Sequence, residues 1–254
     1  MNHLPSVPVV RRLTNSEVDD VQVPSQKLDY TKRVNEVDIH DKEKLDVVCT
    51  NNPDEADEMI YKIRKRVGGL YPWYIGVDVE YTREDEPPWM VGVLQLCMEE
   101  LCVFLELMRP KGLRPLLKED MLYTFVGFSI EGHKHKLNES CLEINPDKYI
   151  DIQRKWIVPY MGRKRFHSLA DVADSVIHLF YKRMKQNIHR GEDHKLWGII
   201  PLPDYLIKYA VIDACATYES WKKIENIRIG LECSKAKESE KDYDNPYYSY
   251  YDQE

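Results

Sequence analysis

Ile75-Gly-Val-Asp78-Val-Glu80 is the stretch on which the architecture turns. In a β-strand, residues two apart point to the same face, about 7 Å apart along the backbone. Asp78 and Glu80 therefore share one face, while Ile75, Val77 and Val79 mark the strand as central. Two carboxylates on one face of an otherwise apolar strand are costly to hold together unless a cation neutralises them. Taken alone, the pattern is weak. A strand end whose carboxylates reach solvent gives the same sequence.

Outward from that strand the chain alternates between strands and helices. Leu45–Thr50 reads as a strand, followed by a helix that Asn51, Asn52 and Pro53 start and whose apolar face carries Met59, Ile60, Ile63 and Val67. Further strands fall at Trp73–Glu80, Met90–Cys97 and Leu101–Leu107, with Met98-Glu99-Glu100 short enough for a hairpin turn. A helix near Leu113–Glu119, a strand over Tyr123–Ile130 and a short helix from about His133 come next. Helical segments over Ser168–Lys185 and Asp204–Ile229 complete the pattern. Strands first and helices after predict an α/β fold, a mixed sheet with helices on its faces. Residues 1–44 read as a polar extension, 45–231 as the folded domain and 232–254 as an acidic, tyrosine-rich tail. The tail is expected to be solvated; a segment that docks a protein partner or takes phosphate is the sharper alternative.

A second element sits far along the chain. In Tyr209-Ala-Val-Ile-Asp213 the phenol and the carboxylate stand one helical turn apart on one face. Tyr209 is suited to hold a water, and Asp213 supplies a hard oxygen ligand. This motif, too, says little by itself.

Together and in order, the blocks say more. Gly76-Val-Asp-Val-Glu80, Val93-Leu-Gln-Leu-Cys97, Phe125-Val-Gly-Phe-Ser-Ile130 with Lys136-Leu137, and Ile207-Lys-Tyr-Ala-Val-Ile-Asp-Ala214 stand at family-like separations. The chain resembles the DEDDy 3′→5′ exonuclease superfamily, in its Werner syndrome-type and ribonuclease D-like branch, over roughly residues 45 to 229. The resemblance implies an RNase H-like mixed five-stranded sheet with helices on both faces. It implies hydrolysis of the last phosphodiester at a DNA or RNA 3′ end with two divalent cations, Mg²⁺ or Mn²⁺, which stabilise the attacking and leaving oxygens. Asp78 would bridge the ions, Glu80 and Asp213 would complete the first ion's site, and Tyr209 would orient the water.

One position departs from the pattern. The family's second motif carries an aspartate four residues before its leucine, and His133 stands there. A neutral imidazole brings no negative charge to the second ion and suits transition ions better than Mg²⁺. Three readings stay open: Glu131 substitutes, His133 ligates Mn²⁺ or Zn²⁺, or the second ion binds poorly and catalysis fails. The last leads to a pseudo-exonuclease that binds nucleic acid or protein instead. For the strand itself, Arg163, Lys164 and Arg165 are the best candidates to contact phosphate, with Lys134 beside His133.

Composition sets the outer bounds. The 254 residues carry a formal charge of −7, so no global positive field draws nucleic acid in. The six cysteines form no C-x-x-C pair and most sit in apolar runs, as core residues in a reducing compartment do. The N-terminus lacks the apolar run of a signal peptide and no stretch is long enough to span a bilayer, so an intracellular protein, cytoplasmic or nuclear, is expected. Phosphate-cradling P-loops, G-x-S-x-G elbows and H-E-x-x-H helices are absent from the sequence.

Overall fold

Every strand expected from the apolar runs joins one sheet. The computed structural model describes residues 29–34, 37, 39–40, 45–66, 73–81, 91–106, 110–157, 166–183 and 193–243, of which 131–133, 183, 193–195 and 232–243 are described by backbone alone. The strands are β1 (Thr31–Val34), β2 (Asp46–Thr50), β3 (Trp73–Tyr81), β4 (Val91–Met98), β5 (Leu101–Glu106), β6 (Tyr123–Gly127) and β7 (Tyr149–Asp151). They lie in the order β1-β2-β5-β4-β3-β6-β7. β3, β4 and β5 form an antiparallel meander, and β6 and β7 add in parallel on the β3 side. These five are the mixed sheet the resemblance implies. β2 extends it in parallel beside β5, and β1 closes that edge antiparallel.

The helices follow local rules. The side chain of Asn52 accepts from the backbone N–H groups of Asp54 and Glu55, and Pro53 opens α1 (Pro53–Lys65) at the first turn. Ala56, Met59, Ile60 and Ile63 form its buried stripe, and the helix packs on β2 and β5. α2 (Glu131–Glu139) follows β6, and α3 (Ile152–Lys155) is one turn capped by Asp151. Ser168 caps α4 (Leu169–Val176). α5 (Asp204–Tyr243) runs along β3 and β4. No helix among the described residues is long and apolar enough to cross a membrane.

Several boundaries differ from expectation for physical reasons. Thr31–Val34 lies inside the stretch taken as extension, and its single buried apolar residue, Val34, gives no alternation to read. β7 has three residues, too few for a period. The helix expected to run on to Lys185 ends at Val176. The His178 ring nitrogen there accepts the Phe180 N–H at 3.2 Å, competing with the helical ladder. Pro115–Glu119 is a π-helical turn. α5 continues past residue 231 to Tyr243, and what lies beyond 243 is outside the described residues, as are residues 1–28.

Gly76 sets how near α5 comes to the sheet. A Cβ there would stand 2.8 Å from both the Ala214 carbonyl oxygen and the Tyr218 Cβ. Both obstacles are backbone or close to it, so neither can swing aside. Gly76→Ala is expected to destabilise the fold by about 1–3 kcal/mol, the usual range for overpacking, measured as a drop in urea midpoint at unchanged m-value.

Candidate active site

Strand alternation puts Asp78 and Glu80 on the face that Gly76 presents to α5. The close approach at Gly76 brings in the residue before Ala214, which is Asp213. Carboxylate oxygens of Asp78, Glu80 and Asp213 all lie within 4.8 Å of one another. Glu80 is 9% exposed and Asp213 4%. One divalent cation with ligand bonds of about 2.0–2.6 Å spans such a gap, and an all-oxygen donor set suits Mg²⁺ or Mn²⁺. The three residues thus fit a hard metal ion.

Tyr209 completes the group. Its hydroxyl is hydrogen-bonded to the Asp213 side chain, one turn on. Burial raises the phenol above its ordinary range, and the charges of Asp213, Glu80 and Asp78 raise it further. The phenol is therefore neutral throughout the physiological range and acts as a hydrogen-bonding group rather than a base. Behind it stands Trp197, 2% exposed, with its ring centroid 6.4 Å from that of Tyr209. A Cβ on Gly92 would meet the Trp197 carbonyl oxygen at 2.7 Å. Gly76 and Gly92 thus each admit backbone from the helical layer.

The remaining candidates divide. Lys134 sits half-buried in the first half of α2. His133 lies in the first turn of that helix, and its side chain is outside what is described. Arg163, Lys164 and Arg165 fall wholly outside the described residues.

Three groups were not foreseen. Tyr149 on β7 is raised well above the usual phenol range by burial and then by the charges of Asp78 and Asp151. Asp151 accepts the Ser129 N–H at 3.1 Å, the Ile130 N–H at 3.2 Å and the Gln153 N–H at 2.9 Å, so one carboxylate fixes both the turn before α2 and the start of α3. Gln95, opposite Asp78 on β4, is fully buried, and its amide has no hydrogen-bond partner among the described residues. Nothing in the sequence around these residues separates them from an ordinary strand.

Known structures share this fold. The chain superposes on the EXO domain of Aedes aegypti Nibbler with a TM-score of 0.53 at 14% identity, covering 72% of this chain and 88% of that one. Escherichia coli RNase D, an exoribonuclease, gives 0.52 at 16% identity, with 73% of this chain and 45% of that one covered. The catalytic core of RRP6 from Trypanosoma brucei gives 0.51 at 11%, with 72% and 48% covered. The fold is that of the 3′→5′ exonuclease domains. The chain spans a little under half of the RNase D and RRP6 chains, 45% and 48%. No protein-family model matches the sequence, and no curated protein matches it.

A fourth carboxylate lies on the same face of the exonuclease fold, outside the cluster. Glu106 at the end of β5 is 2% exposed, and its Oε1 accepts the Cys49 thiol at 2.9 Å. Burial raises its carboxyl above the ordinary range, opposed more weakly by Cys49, the Leu202 backbone and Tyr30. A carboxyl whose folded pKa is raised contributes its full stability below the unfolded value. That contribution is lost as pH climbs through the folded one. Glu106→Gln has nothing to ionise there, so its urea midpoint is expected to gain on the wild type as pH rises from about 5 to 8.

Proposed function

We propose that the chain is a metal-dependent 3′→5′ exonuclease that removes the last nucleotide from a DNA or RNA 3′ end. The observation that carries this reading is the convergence of Asp78, Glu80 and Asp213 within 4.8 Å beside the Tyr209 hydroxyl. The likeness to exonuclease domains supports it. Asp78, Glu80 and Asp213 would hold the divalent ion. Bound there, the cations supply charge stabilisation at the attacking and leaving oxygens of an in-line displacement.

The chain's own residues do the rest. Tyr209, kept neutral by burial and by three carboxylates, hydrogen-bonds the attacking water and fixes its line of approach. Its orientation is set by Asp213 through the hydrogen bond and by Trp197 behind the ring. Trp197 and the buried α5 interface keep bulk water away from one side of the cluster, which strengthens every charge interaction inside it.

His133 favours a second reading of the same fold. Without a carboxylate at that position the second ion is held weakly, and the domain serves to bind nucleic-acid ends rather than cut them. The two readings separate in one assay: degradation of 5′-labelled single-stranded RNA and 3′-recessed duplex DNA in Mg²⁺ or Mn²⁺. The exonuclease reading expects a ladder of 3′-shortened products. Asp78→Ala is expected to lose about a thousandfold or more in rate, several kcal/mol of transition-state stabilisation. His133→Asp is expected to raise the Mg²⁺-supported rate. A ladder that persists in Asp78→Ala refutes the site. Silence in the wild type with activity in His133→Asp marks a pseudo-exonuclease disabled at that position.

A further inference from the structure

Outside the carboxylate cluster, a cavity of about 730 Å³ opens between the segment after β5 and the C-terminal end of α2. Lys111, Arg114 and Lys118 line one wall, and Asn138 lines the other. Glu143 is the one carboxylate among the described lining residues, and it is ion-paired with Lys118. Lys111 and Arg114 are exposed and have no ion pair or hydrogen bond of their side chains among the described residues. On a chain whose formal charge is −7, three cations against one carboxylate in a single concavity run against the overall balance.

The segment's backbone is held firmly, so the cations are presented rather than trailing. Gly112 donates its N–H to Asp57 of α1 at 2.7 Å, and Arg64 of α1 pairs with Asp120 at 3.4 Å. The opposite wall is tied to the catalytic end of the sheet. Ser140, just after α2, accepts the Val91 N–H at 3.0 Å, and Val91 pairs with Tyr81, the neighbour of Glu80. Lys136 of α2 stands 2.8 Å over the Tyr81 ring. From strand spacing and helical rise, the cavity lies on the order of 10–15 Å from Glu80. A few nucleotides of a strand cover that distance.

We infer that this cavity is a second nucleic-acid contact, in which Lys111, Arg114 and Lys118 hold the phosphodiester backbone a few nucleotides upstream of the 3′ end. The inference rests on the exonuclease or end-binding reading for its ligand, but it concerns residues that neither reading uses. The groove reads no base: its cations neutralise phosphates, and each phosphate contact adds a salt-dependent increment to affinity. It supplies locally the positive field that the chain lacks globally.

The test is fluorescence anisotropy of 5′-fluorescein single-stranded RNA, about 3 to 20 nucleotides long, on the full chain in EDTA, where hydrolysis is silent. Affinity is expected to climb between about 3 and 10 nucleotides in the wild type. In Lys111→Glu/Arg114→Glu that climb is expected to vanish, with affinity for the longest strand down about tenfold or more. The slope of log affinity against log salt is expected to flatten by about 1.4, two phosphate contacts at about 0.7 each. Lys111→Arg should keep the climb. Equal length dependence in the wild type and the double variant overturns the proposal, as does a wild type that binds no strand. Groove-dependent binding without a product ladder would sink the catalytic reading and leave the groove standing. A ladder with groove-independent binding would do the reverse.

Discussion

Three carboxylates of like charge, two of them almost closed to solvent, are pressed together under a helix that cannot move away. Each would prefer water, and each raises the cost of ionising the others. What enforces the arrangement is steric: the absent side chain at Gly76 lets the backbone of α5 rest on β3, and Asp213 arrives with it. Tyr209, Trp197 and Gly92 follow from that contact. Tyr209 reaches the cluster because it is one turn from Asp213, and Trp197 backs it because Gly92 leaves room for its carbonyl. A site that concentrates negative charge in a dry place is poised to take up a cation.

The same helix face is otherwise packed with small and soft groups. Cys97 and Cys215 approach to 3.0 Å between sulfurs, and Cys215 stands 3.8 Å from Cys102. All three are fully buried, and burial holds the Cys102 thiol well above its ordinary range, with the neighbouring thiols adding to the effect. Buried together, these three cysteines pack where α5 meets β4 and β5. They let the helix lie close along its length, and the approach at Gly76 is continuous with the one at Cys97. Farther out, Tyr30 and Cys49 surround Glu106 and continue a polar band across the sheet from the cluster towards β1 and β2.

The two edge strands add width where the implied sheet would have ended. β2 pairs with β5 and buries Val47, Val48 and Cys49, and β1 covers the outer edge of β2. Lys32 of β1 is ion-paired with Asp204 at the start of α5, so the added edge also anchors the helix that carries Tyr209 and Asp213. On the other edge, Asp151 of β7 clamps the turn from which α2 departs. Through α2 the position of His133 and one wall of the cationic cavity depend on a strand of three residues.

The strands β2 to β6, the start of α1 and the DxE and YxxxD pairs were legible in the sequence. Each is written in local periodicity: alternation within β3, a capping Asn-Pro pair before α1, a one-turn spacing from Tyr209 to Asp213. The order of these blocks pointed to the fold because order survives when identity falls to 14% or so. Tertiary structure alone decided the rest. Thr31–Val34 and Tyr149–Asp151 are too short or too polar to show a period, and they become strands only because a neighbour offers an open edge. Gln95 and Glu106 look like any strand residue until the register aligns them with Asp78 and Glu80. Periodicity reports which way a side chain points. It does not report what another part of the chain brings to meet it, and the carboxylate cluster and the cationic cavity are both made of such meetings.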